Sequence, residues 1–189
     1  MIQTQSPWVR RNHHAVLALA LALALVQALE WSAGLAPRAA LAAEEATFTV
    51  RRLTPETALA AARAALEHCR QQGYQVAVAV AVAVVDRAGT LQALLRDRFA
   101  GVHTVDIATN KAWTAASFKI PSAALAQEAQ AGKPMSGIRA HPRVIAAGGG
   151  QVIEGGGSLL VAIGVSGAPS GDIDDACALA GTRAIAGIR

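Results

Sequence analysis

The chain has 189 residues, of which 53% are hydrophobic, 16% charged and 4% aromatic, with a formal net charge of +4 at pH 7. That length holds one domain plus a tail, and the apolar content excludes general disorder. Two cysteines are too few for a disulfide scaffold or a four-cysteine zinc site, and the modest charge gives little support to a polyanion-binding surface.

Residues 1–42 read as an export signal. Arg10, Arg11, His13 and His14 form a basic start, and Ala15 to Leu29 is an uncharged stretch of mostly Ala and Leu. Its 15 residues suit a signal core, whereas a spanning helix needs about 20. Ala40-Leu41-Ala42 offers the small-x-small pattern of a cleavage site, leaving Ala43-Glu44-Glu45 as the mature start. An uncleaved anchor is the alternative, and the Arg10-Arg11 pair leaves the Sec and Tat routes both open. Cleavage removes Arg10, Arg11, Arg38 and Glu30, so the mature domain, 43–189, has a net charge of +2. A near-neutral domain with no basic run argues against nucleic acid, and no membrane span is left after cleavage. The destination is periplasmic or secreted, where Cys69 and Cys177 could pair; two buried free thiols fit the residues equally well.

In the mature domain, Thr47 to Arg51 alternates enough for a short edge strand. Thr54-Pro55-Glu56-Thr57 starts a helix, with Thr54 as N-cap, Pro55 in the first position and Glu56 where the helix dipole favours an acid. Leu59, Ala62, Ala65, Leu66 and Cys69 recur at helical spacing, up to a stop at Gly73. From Val76 to Val85, Val and Ala alternate, predicting a strand with Val on one face and Ala on the other, where a helix can approach closely. Asp86-Arg87-Ala88-Gly89 is a tight turn, and Thr90 to Arg96 is the returning strand. A second helix spans roughly 103–118, Pro121 opens a short one over 122–130, and 132–142 is an irregular loop. Val144 to Ala147 leads into Gly148-Gly149-Gly150, after which Gln151–Glu154 and Ser158–Val165 form a hairpin around Gly155-Gly156-Gly157. A last helix runs from about Asp172 to Ile188, capped by Ser170 or Asp172. This order of elements is α+β with an antiparallel sheet.

Few residues carry recognisable chemistry. The glycine triplet lacks the Lys-Ser/Thr of a P-loop and the G-x-G-x-x-G of a dinucleotide turn, so backbone geometry or close packing explains it better than a phosphate cradle. Ser166 lacks a nucleophile elbow, and His68, His103 and His141 have no metal-site spacing. Asp172, Asp174 and Asp175 lack the remaining ligands of a calcium loop and read as helix N-terminal charges. No hydrolase or metalloenzyme emerges, and the residues lean against an enzyme. On the second helix, at about 100° per residue, His103, Ile107, Asn110, Lys111, Thr114 and Ser117 fall within roughly 80° of one direction. Val105, Ala108, Ala112, Ala115 and Ala116 lie opposite. The small apolar face can press on the Ala side of the strand, leaving an outward polar stripe flanked by Trp113. A plain solvated face explains that stripe more simply than a binding one.

Taken in order, several segments resemble the GlcG/HbpS family: Val84-Val85-Asp86-Arg87-Ala88-Gly89-Thr90-Leu91, Asp106-Ile107-Ala108, Lys111-Ala112-Trp113-Thr114-Ala115-Ala116, Gly148-Gly149-Gly150 and Ala162-Ile163-Gly164-Val165-Ser166-Gly167. Ala168-Pro169-Ser170-Gly171-Asp172 with Asp174-Asp175 adds likeness to the secreted haem-binding HbpS branch. The resemblance covers about residues 50–189, and Gln151 stands where family members often carry Pro. It implies a profilin-like fold, an antiparallel β-sheet flanked by helices, in a homo-oligomer. It also implies haem, or a related tetrapyrrole, at an exposed surface or subunit contact. In that branch a threonine of the Lys-Ala-aromatic-Thr-Ala segment ligates haem iron, and Thr114 matches it. A hydroxyl is a weak iron ligand, which suits a scavenger or sensor of haem or redox state better than an electron carrier. His103 is the other candidate ligand, but the helix between it and Thr114 is about 16 Å long, so both cannot serve one iron on one chain. Lys111, one turn from Thr114, could pair with a propionate. Related domains fused to corrinoid adenosyltransferases make a corrinoid-binding accessory protein one rival reading; a structural oligomer with no cofactor is the other.

Overall fold

A computed structural model describes residues 48–73 and 81–187. The expected export signal, 1–42, and the 76–80 start of the Val/Ala strand lie outside the described residues. Among the described residues, no helix is long and apolar enough to cross a membrane.

Helix α1, Pro55–Gln71, starts as its sequence dictates. Thr54 is extended, its hydroxyl accepts from the Thr57 amide at 3.3 Å, and Pro55 opens the first turn. Strands β1 (Ala81–Asp86) and β2 (Leu91–Arg96) follow, then helices α2 (Thr104–Phe118) and α3 (Ser122–Glu128) and a 3-10 turn at Ser136–Ala140. Strands β3 (Gly150–Gly155) and β4 (Ser158–Ser166) and helix α4 (Gly171–Ala184) complete the order. Every strand pair is antiparallel, in spatial order β2-β1-β4-β3. The fold is α+β, an antiparallel sheet flanked by helices. Of the two candidate caps for α4, Ser170 takes the role, accepting from the Ile173 amide. The edge strand expected at Thr47–Arg51 is corrected: residues 48–54 have no regular structure. Side chains tie that stretch down instead, Arg52 lying 3.3 Å from the buried Asp86 carboxylate.

Alternation decides which helix covers which face of the sheet. Val82 and Val84 join Val161, Ile163 and Val165 against Ala58, Ala61, Ala62 and Ala65 of α1 and Cys177 and Ala178 of α4. Residues of the opposite parity, Ala83, Val85 and Ala162, meet Ala108, Ala112 and Ala115 of α2. Bulky residues therefore face the helix pair, while small ones let α2 settle close to the sheet. Gly164 is part of that approach, because a Cβ there would run into the Ala108 carbonyl.

Two long-range ties hold α1 in place. Cys69 and Cys177 are joined as a disulfide across α1 and α4, with Cα atoms 5.5 Å apart, which settles the choice between a bridge and two thiols. Arg70 grips the buried Asp97 with two bonds, Nε to Oδ2 at 2.9 Å and Nη2 to Oδ1 at 3.1 Å. The Arg70 bonds hold the Asp97 carboxyl below its ordinary pKa, against the opposing effect of burial. A carboxyl with a depressed folded pKa stabilises the fold fully above its unfolded value of about 3.9, and that contribution is lost as pH falls through the folded pKa. Asp97→Asn should therefore be less stable than the wild type at pH 6, with the gap closing below about pH 4. Urea midpoints at the two pH values check it, and a gap independent of pH would remove the pair from the account.

Candidate functional site

Helix α2 carries all three residues singled out as ligand or propionate groups, and it does not bring them together. His103 stands at its N-terminus, exposed, its imidazole folded over Gly101. The preceding loop is held by short local bonds: the Thr104 hydroxyl to the Gly101 carbonyl at 2.7 Å, and the Arg96 guanidinium to the Ala100 carbonyl. On this loop Phe99 and Val102 are 72% and 85% exposed. The Arg98 guanidinium lies 5.6 Å from the centre of the Phe99 ring. An accessible imidazole thus shares one braced loop with two exposed apolar side chains and a cation.

The outward stripe read from the helical wheel is corrected at two positions. Lys111 is only 4% exposed and Thr114 is fully enclosed. The buried side of α2 runs through Thr104, Ala108, Lys111, Ala112 and Ala115, while His103, Asp106 and Ser117 face solvent. Polar type misplaced Lys111 and Thr114 because both find partners inside the protein.

Lys111 crosses to α4. Its Nζ donates to Asp174 Oδ2 at 2.7 Å and to the Val165 carbonyl at 3.1 Å. Burial pushes the Asp174 carboxyl above its ordinary pKa, with the Lys111 ammonium and the Ala168 amide pulling the other way. The glycine triplet makes room for this pair. Gly149 has φ +116°, and a Cβ there would collide with the Val165 carbonyl and stand 2.9 Å from Lys111 Nζ. The Gly149 amide donates to Asp175 Oδ1 at 2.6 Å, and Ser122 Oγ links the Ala147 carbonyl and the Gly150 amide at 2.6 and 2.8 Å.

Residues 141–150 form a strap that ends in the glycine triplet, and Thr114 fastens it further upstream. Its hydroxyl accepts from the Ile145 amide at 3.0 Å and donates to the Arg143 carbonyl at 3.4 Å. Beside it Trp113 is clasped by the strap's first residues. The exposed His141 ring is stacked 5.3 Å from the indole, and the Arg143 guanidinium is 4.5 Å from its centre. Residues 141–150 are thereby pinned to three helices by Thr114, Ser122 and Asp175.

A family model described as "Haem degrading protein HbpS-like" matches residues 53–183. The chain belongs to the HbpS-like family. Among solved structures, a double mutant of HbpS from Streptomyces reticuli is 38% identical with a TM-score of 0.65, the match covering 72% of this chain and 89% of that one. A structure named as a PduOC–haem complex is 30% identical with a TM-score of 0.65, covering 71% of this chain and 95% of that chain. The corrinoid adenosyltransferase PduO of Salmonella typhimurium is 33% identical over 107 residues, which is 56% of this chain and 31% of the relative. This HbpS-like chain therefore spans about a third of the length of that curated relative.

Within the HbpS-like domain, sequence reasoning missed the partners. Asp174 and Asp175 read as helix-start charges but bind Lys111 and the Gly149 amide, while Ser122 and His141 carried no signal at all. One sign was present: at about 100° per residue Lys111 stands at the edge of the polar stripe, within about 60° of Ala108 and Ala115, a border from which a lysine can turn inward only where a carboxylate waits for it. Among the described residues, no group of three or more His, Cys, Asp or Glu could hold a metal ion.

Proposed function

We propose that this HbpS-like chain is an exported, non-enzymatic haem-binding protein that scavenges or senses haem, in the periplasm or secreted, as a homo-oligomer. The observation that carries the haem reading is the exposed His103 imidazole beside exposed Phe99 and Val102. These residues fit the group: an imidazole is a common haem-iron ligand, apolar side chains suit the porphyrin face, and Arg98 can pair with a propionate. Haem would supply the coloured, redox-active iron, while the loop would supply one ligand and a platform open to solvent or to a second copy. Iron ligation through Thr114 would require residues 143–145 to lift off α2; His103 requires no such movement. Lys111 and Thr114 then act from behind, keeping α2 and the strap in place. The haem complex solved for PduOC and the family description support haem as the ligand. The Cys69–Cys177 bond supports export, since such bonds persist in oxidising compartments.

Hemin titration, with albumin as a competing sink, tests it. A saturable absorption change with fixed stoichiometry per chain is expected, and His103→Ala should alter the spectrum and weaken binding about tenfold or more. An unaltered spectrum in His103→Ala with a shifted one in Thr114→Ala would move the iron to Thr114. A diffuse change lost to albumin would end the haem reading. A parallel cobalamin titration addresses the accessory role suggested by the likeness to PduO.

A further inference from the structure

On the sheet face opposite α2, the β3–β4 hairpin, the C-terminal end of α4 and the residues just before α1 enclose a groove of about 520 Å³. Leu53, Ile153, Leu160 and Ile185 are among its apolar lining, and Arg51 and Arg183 also line it. Among the described residues neither arginine forms an ion pair. The Arg51 guanidinium lies over the hairpin turn, where Gly156, at φ +60°, leaves the room it occupies. Glu154 is the one acid in the lining.

We propose that this groove binds a small amphipathic carboxylate, its apolar body on the leucine and isoleucine side chains and its anionic head between Arg51 and Arg183. Three features carry this. The volume falls in the usual range of small-molecule sites, roughly 300–1,000 Å³. The lining combines an apolar floor with a few polar groups, the composition that buries a ligand's body and orients its head. Two guanidiniums against one carboxylate give the groove a net positive charge, and guanidiniums pair with carboxylates through charge-assisted bonds. The site lies across the sheet from His103 and stands or falls independently of haem.

Dodecanoate is the probe, measured by calorimetry on the full-length chain, with dodecanol as the uncharged comparison. Dodecanoate should bind one per chain, and dodecanol about tenfold more weakly or worse. Arg183→Gln and Arg51→Gln should each weaken dodecanoate by about tenfold, and Glu154→Gln should strengthen it. Ala186→Trp, at an exposed lining position, should fill the groove and abolish binding, while His103→Ala should leave it unchanged. Thermal unfolding of each variant in the absence of probe shows that the fold is intact. Equal affinity for dodecanol, indifference to all three charge variants, or binding that survives Ala186→Trp would each overturn the proposal. So would a groove found closed by a second copy, seen as a dimer that Ala186→Trp dissociates.

Discussion

Lys111→Met should lower folding stability by about 3–5 kcal/mol, the cost of leaving one member of a buried ion pair without its partner. Lys111 and Asp174 are 2.7 Å apart with side chains about 5% exposed, so water cannot take over when the ammonium is removed. The loss should depend on pH, with a sign that follows from Asp174. Burial already raises its carboxyl, and Lys111 is the strongest influence opposing that rise. Without the lysine the folded pKa climbs further above the unfolded value. The variant therefore suffers little near pH 4, where the carboxyl can hold its proton, and progressively more as pH rises through the folded pKa. Adding Asp174→Asn should recover much of the stability at neutral pH, because an amide needs no counter-charge and its oxygen can still accept from the Ala168 amide. Urea unfolding of the single and double variants checks all three expectations. A loss below about 0.5 kcal/mol would place Lys111 back on a solvated stripe.

The fold was more legible than the site, and the difference has a physical basis. Periodicity reports burial of apolar surface, and most of this fold is decided by apolar periodicity. The Val/Ala alternation placed α2 on the small-residue face, and Thr54-Pro55 fixed the start of α1 to the residue. Where polar groups are buried, periodicity misleads. Lys111 and Thr114 look like surface residues because their partners, Asp174 and the backbone of Arg143 and Ile145, lie 63, 29 and 31 residues away. A helical wheel contains no information at that separation. The Thr47–Arg51 strand failed for a similar reason: alternation shows that a segment can pair, and only the tertiary structure shows whether an edge is offered.

The corrected burial also changes what α2 can do. Its inner face is committed to Asp174, Val165 and the strap, which leaves His103, Asp106 and Ser117 facing solvent and Trp113 half-buried beside His141 and Arg143. His103 and Trp113 are ten residues apart, about 15 Å along the axis, so they present separate surfaces. A ligand at one end would meet a helix whose position is fixed by a buried ion pair and by glycines that permit no added side chain. This is the rigid support that a surface ligand needs, since an exposed loop alone would lose ordering entropy on binding.

Replacing both cysteines by alanine should lower stability by about 4 kcal/mol, the second large effect. The bond between Cys69 and Cys177 spans 108 residues of chain, and cross-linking a loop of that length removes about 4.7 kcal/mol of unfolded-chain entropy in the simplest treatment. Alanine at both sites keeps the close α1–α4 packing, where Ala61, Ala62 and Ala65 already stand, so the cavity left by two sulfurs is the smaller contribution. A reductant should lower the urea midpoint of the wild type and leave that of the double variant unmoved. The same residues test export. Chain recovered from the periplasm or medium should begin near Ala43 and show no free thiol, whereas chain retained in the cytoplasm should show two, because that compartment keeps thiols reduced. If the exported chain carries two free thiols and reductant leaves its stability unchanged, Cys69 and Cys177 are no more than packed core residues. In that event the bond would no longer argue for an oxidising destination, and the export reading would rest on residues 1–42 alone.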